Sequence, residues 1–136
     1  MAIQYSVSVN NARLDTVEST TGATAVLKIF SGAQPANCAA ADPTGALVSI
    51  TLPSDWMNAA ASASKTKLGT WSGTASGTGT AASFRIYEST ATTCHIQGSC
   101  GLGTGDLQLD NTSIASGQTV TVNTFTLDRK STRLNS

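Results

Sequence analysis

Ser83-Phe84-Arg85-Ile86-Tyr87-Glu88 is the stretch whose reading decides the fold. Successive side chains of an extended chain point to opposite faces. Phe84 and Ile86 therefore share one face, while Arg85 and Tyr87 share the other. Residues 89–91 form a turn and 93–97 a return strand, so residues 83–97 read as a β-hairpin. The β signal continues outward in both directions. Downstream, residues 106–110 alternate with Leu107 and Leu109 inward, and residues 118–127 form a last strand with Val120, Val122 and Phe125 toward the core. Upstream, residues 25–30 and 47–52 are strands separated by a loop punctuated by Pro35, Pro43 and Gly45.

The remaining segments read more weakly. Residues 3–7 make a short strand or extended arm. A helix follows over about 11–20, capped by Ser8 or Asn10, with Leu14 and Val17 on one face. Residues 54–57 start one helical turn, 58–67 form an Ala/Ser-rich loop and 69–72 a short strand or strand edge. Residues 73–81 and 98–105 are small-residue loops. Six to eight short strands joined by turns predict a mainly β fold, an antiparallel β-sandwich or jelly-roll-like domain with a short N-terminal helix. The expected organisation is an arm and helix over 1–22, a sandwich over 23–127, and a tail over 128–136.

That tail, DRKSTRLNS, resembles one reading frame of a sequencing adapter, and it is set aside as non-native, with the true C-terminus expected somewhere after Leu127. The decision changes the charge. The whole chain of 136 residues has eight basic and eight acidic side chains. Without Arg129, Lys130 and Arg133, residues 1–128 carry five basic against eight acidic, a net −3. No basic stripe is left to neutralise phosphates, which argues against nucleic acid as a partner. Lys65 and Lys67 are expected on a solvated loop. No apolar run is long enough to cross a bilayer, and residues 1–15 lack the pattern of a secretory signal. Synthesis in a cytosol is the expectation, and three cysteines fit it.

No reaction centre emerges from the spacing. Cys94 and His95 are neighbours on a strand and point to opposite faces, so they make neither a nucleophile–base pair nor a zinc knuckle. Cys38 is distant and Cys100 is not in knuckle spacing, so no metal and no cofactor is expected. Free thiols are the default, and a Cys38–Cys94 disulfide is an option once the protein has left a cell. Asp106 and Asp110 lie about 13 Å apart on one strand, too far for a catalytic carboxylate pair. The glycine-rich stretches lack the Lys-Ser/Thr ending of a phosphate loop. Trp56, Trp71, Tyr87 and Phe30 are candidates for a sugar-binding platform, but a domain with seven aromatics needs most of them in its core. Tyr87, with Arg85 beside it on the same face, is the candidate surface contact.

Four stretches carry a wider resemblance: AIQYSVSVNNARLDTVESTTG (2–22), AVLKIFSGAQPANCAAADPTGALVSITLPSDWM (25–57), GTAASFRIYESTATTCHIQGS (79–99) and DLQLDNTSIASGQTVTVNTFTL (106–127). Together they resemble a family of small virion-associated proteins of tailed bacteriophages and prophages. Cys100 departs from that pattern, standing where a small residue is usual. The resemblance implies a non-enzymatic virion component, a capsid decoration (cement) or head–tail accessory subunit made in the bacterial cytoplasm. Its implied partners are capsid, neck or tail proteins and further copies of itself. It carries over no catalytic residues. The alternative is a tail- or fibre-associated module that binds host glycan. A small hydrolase is a third, weaker reading.

Overall fold

The computed structural model describes residues 3–103 and 105–128; the tail after Asp128 lies outside them. Residues 3–6 form no strand, and helix α1 spans Val7–Thr21. It begins earlier than its sequence suggests because Ser6, not Ser8 or Asn10, is the cap: the Ser6 hydroxyl accepts from the Val9 N–H at 3.2 Å. All three residues are good caps locally. Asn10 is buried within the helix, which removes it from that role. Gly22 ends the helix at φ 93°, its N–H donating to the Glu18 carbonyl at 2.9 Å.

Among the described residues ten strands follow: β1 (Val26–Phe30), β2 (Ala46–Thr51), β3 (Ser64–Thr66), β4 (Ser72–Thr74), β5 (Gly79–Thr80), β6 (Ser83–Tyr87), β7 (Cys94–Gly101), β8 (Leu107–Leu109), β9 (Ser113–Ile114) and β10 (Thr119–Asp128). The main sheet runs β2-β1-β6-β7-β8-β10-β3, with β4 also on β10; β5 and β9 form a small ribbon. The protein is thus mainly β with one N-terminal helix. Its pairings are antiparallel except β7 with β8, which run parallel. Register explains the core. Leu27 sits opposite Ile50 and Ile86, and Ile29 opposite Val48 and Phe84, so six apolar residues of three neighbouring strands share one face.

The sheet folds over on itself into two layers. β4 packs against β2 so closely that a Cβ at Gly73 would lie 3.0 Å from Ile50 Cγ1. The N–H groups of Ser76 and Gly77 both donate to the Leu47 carbonyl, at 2.9 and 3.1 Å. Between the layers, Trp71 lies 5.9 Å from Trp56 and 5.5 Å from Phe125, and Phe125 meets Phe84 edge-on at 5.5 Å, all ring centroid to centroid. Both tryptophans are fully buried, with their indole N–H groups donating to Gly22 and Leu68 carbonyls.

Two local readings are corrected. Residues 54–57 form no helical turn. Trp56 and Met57 are held extended by bonds to the end of α1, the second from the Met57 N–H to Glu18 Oε2 at 3.1 Å. Residues 58–67 are not simply a loop. They turn tightly at Ser62 and Ala63, both at positive φ (52° and 58°), and return as β3 along β10.

Candidate functional site

Strand β6 is buried on both faces, and its second face carries the buried polar residues Ser83 and Arg85. Phe84 and Ile86 enter the core. Ser83, Arg85 and Tyr87 point the other way, beneath the loop 31–45, whose ends are closed by Ser31 N–H to Gly45 O at 2.9 Å and Gly32 N–H to Thr44 O at 3.0 Å. The expectation of an exposed contact at Tyr87 and Arg85 is therefore corrected: each is 2% exposed. The alternation was read properly, but the loop that covers this face is remote in sequence.

One guanidinium makes most of the side-chain bonds that hold the loop. Arg85 Nη1 donates to the Ala40 carbonyl and to Asp42 Oδ1, both at 3.0 Å, and Nη2 donates to the Asn37 carbonyl and Gln97 Oε1, both at 3.1 Å. Gln97 stands opposite Arg85 on β7 and passes the network on, donating to the Pro35 carbonyl at 2.9 Å. Asn37 shapes the loop with its own side chain, which accepts from the Ala39 and Ala40 N–H groups. The Tyr87 hydroxyl donates to the same Asp42 oxygen at 2.5 Å. Burial first, and then that carboxylate, push the phenol well above its ordinary pKa of 10.0, so it stays protonated as a donor. The Lys28 ammonium lies 5.1 Å from the Tyr87 ring centroid. Arg85 Nε finds no acceptor among the described residues.

At the loop's edge a hollow of about 350 Å³ is lined by Cys38, Asp42, Arg85, Tyr87, Thr92 and Cys94 among others. The structure brings Cys38 and Cys94 together, with sulfurs 3.0 Å apart. Both are free thiols. His95 is exposed on the next strand position and does not join them. Cys100 sits apart, packed against the core. Among the described residues no three His, Cys, Asp or Glu side chains gather where they could hold a metal ion. The arginine is saturated at both terminal nitrogens and the phenol is locked as a donor, so this cluster is a clamp rather than acid–base machinery.

A second polar node holds the helix, and sequence reasoning missed it. Lys65 is 2% exposed, not solvated. Its ammonium meets Asp15 Oδ1 at 2.8 Å, Glu18 Oε1 at 2.9 Å and the Asn58 carbonyl at 2.9 Å, which uses all three donors. Burial pulls this ammonium's pKa down, but the bonds to Asp15 and Glu18 outweigh it and the net shift is upward from 10.5. The Lys65 hydrogen bond, then the Ala60 N–H, hold Asp15 below its ordinary 3.8. Asn11 adds a bond from the Ala63 N–H at 2.9 Å. The helix packs on its own domain, with Leu14 wholly buried and Val17 against the core. The clue available in the sequence was Asp15 with Glu18 three residues on, a pair on one helix face awaiting a cation.

The segment before the helix and the helix's first turn expose four large apolar side chains among polar ones. Ile3, Tyr5, Val7 and Val9 are 84%, 50%, 56% and 44% exposed, and Arg13 stacks over the Tyr5 ring at 4.7 Å. Trp56, Trp71, Phe30 and Tyr87 are all buried, so these four form no platform for a sugar. No helix among the described residues is long and apolar enough to cross a membrane. The chain matches no family model, no curated protein and no solved structure.

Proposed function

We propose that the chain is a non-enzymatic structural subunit of a tailed-bacteriophage virion, a capsid decoration or head–tail accessory protein that is made in the bacterial cytoplasm and acts as a homo-oligomer on the particle. The observation that carries this reading is a set of exposed apolar side chains, Ile3 and Tyr5 just before helix α1 and Val7 and Val9 in its first turn, beside a helix that is itself pinned to the domain. Several large apolar side chains exposed beside one another suit contact with another subunit better than contact with water. The weakly charged surface, with 12% charged residues over the chain, supports the same reading, because flat contacts between subunits carry few charges at their centre. The sugar-binding alternative loses its aromatic platform to the core.

Light scattering of residues 1–127 across concentration tests the proposal. A discrete trimer or larger ring is expected, reduced to monomer by Val7→Ser with Val9→Ser. A strict monomer at every concentration, unchanged by those substitutions, would remove the homo-oligomer. Capsid and portal genes are expected beside the coding sequence; fibre genes there would favour host recognition.

A further inference from the structure

We infer that Cys38 and Cys94 are an oxidisable dithiol that a small-molecule disulfide converts into an intramolecular disulfide, fastening the loop 31–45 to strand β7. The sulfurs lie 3.0 Å apart. A disulfide bond of about 2.05 Å requires only a further ~1 Å of closure. Nothing has to be brought in from a distance, because both positions are already fixed. Cys38 follows Asn37, whose carbonyl is bonded to Arg85, and Cys94 stands opposite Tyr87 in the β6–β7 register. Arg85 and Tyr87 also grip Asp42 on the far side of Cys38. The clamp thus holds the two thiols together before any covalent bond forms.

The loop is the feature of the fold that gains most from such a bond. Its cover over β6 rests on polar contacts to Arg85, Tyr87, Gln97 and Ser83, and none of its own residues 31–45 is buried. The bond would span 56 positions of sequence, so it would constrain the unfolded chain strongly. A metal is the poorer explanation of the pair, because no third ligand accompanies it among the described residues. Cys100 provides an internal control. Burial pushes its thiol up to about 12, and it packs against the core away from the pair.

The step is a thiol–disulfide exchange with a low-molecular-weight disulfide as oxidant. Two protein S–H bonds and the reagent's S–S bond break; one protein S–S bond and two small-thiol S–H bonds form. The protein loses two electrons and two protons, and the reagent gains them. Burial, and then the hydrogen bond to Cys38, push the Cys94 thiol up to about 12, so exchange is expected to be slow at neutral pH and to accelerate as pH rises.

The test equilibrates the whole chain with oxidised glutathione, blocks remaining thiols with iodoacetamide and measures intact mass and linked peptides. One blocked thiol, Cys100, is expected, with peptides containing Cys38 and Cys94 joined. The melting temperature should rise by roughly 5–15 °C and fall again on reduction. Cys38→Ser and Cys94→Ser should each abolish the rise, and Cys100→Ser should leave it intact. Three blocked thiols, a link to Cys100, or a link between chains would each overturn the inference.

Discussion

Replacing Lys65 with Met tests whether a buried ammonium holds helix α1 on the sheet. Methionine keeps the length and apolar character of the lysine stem while deleting its charge and three donors. Glu18 is 20% exposed and Asp15 48%. A shielded hydrogen bond to a charged group contributes about 1.5–3 kcal/mol, whereas an exposed ion pair contributes about 0–1 kcal/mol. Taking Glu18 at the shielded value and Asp15 at the exposed one, adding about 1 kcal/mol for the orphaned Asn58 carbonyl and subtracting roughly 1 kcal/mol for the newly buried apolar end leaves a loss of about 3 kcal/mol. In a domain of this size that lowers the melting temperature by roughly 10 °C.

The assay is thermal unfolding by circular dichroism, repeated with Glu18→Gln and the double variant, where a coupling of at least ~1 kcal/mol is expected. The pH dependence has a definite sign. Asp15 is depressed below 3.8 in the folded state, so its contribution is present above about pH 4 and is lost as pH falls through the lower folded value. The Lys65 contribution is complete below its ordinary 10.5 and is lost only as pH rises through the higher folded value. The gap between wild type and Lys65→Met should therefore be flat near neutrality and close in strong acid. A Lys65→Met protein as stable as wild type at pH 7 would refute the reasoning, because an apolar contact would then be holding the helix.

Three further outcomes are expected. Ser62 and Ala63 both hold positive φ without being glycine, so Ser62→Asn with Ala63→Gly should raise stability by about 1 kcal/mol in chemical denaturation; a loss would mean that the turn is not of the tight hairpin kind. Glu88 is held down to about 2, first by the Thr92 hydroxyl and then by the Thr93 N–H and Thr90 hydroxyl. Its carboxyl carbon shift in NMR should titrate near pH 2 and return toward 4.5 in Thr92→Val. A Cβ at Gly77 would lie 2.4 Å from the Ala46 carbonyl oxygen, so Gly77→Ala should part the seam between β2 and the segment after β4 and cost about 1–3 kcal/mol; an unchanged denaturation midpoint would contradict that close approach.

Local pattern was enough for what depends on near neighbours. The alternation at 83–87, the strands around Leu27, Val48, Leu107 and Val120, and the turn before residue 93 are visible because a pleated strand sorts its side chains with a period of two. The sheet and its apolar face follow, as does the burial of Trp56 and Trp71, since a chain with few aromatics must bury them. The Cys38–Cys94 pair was one option among three thiols. Tertiary structure decided what covers each polar face. Arg85 looks exposed by its own strand and is buried because residues 37–42, more than 40 positions upstream, fold across it. Lys65 looks like a loop cation and is buried because Asp15, 50 positions upstream, arrives on a helix. Charge and periodicity say which side of a strand a residue faces. Whether that side meets water depends on segments that approach only when the chain closes, and here those segments turn two apparent surface cations into the fastenings of the fold.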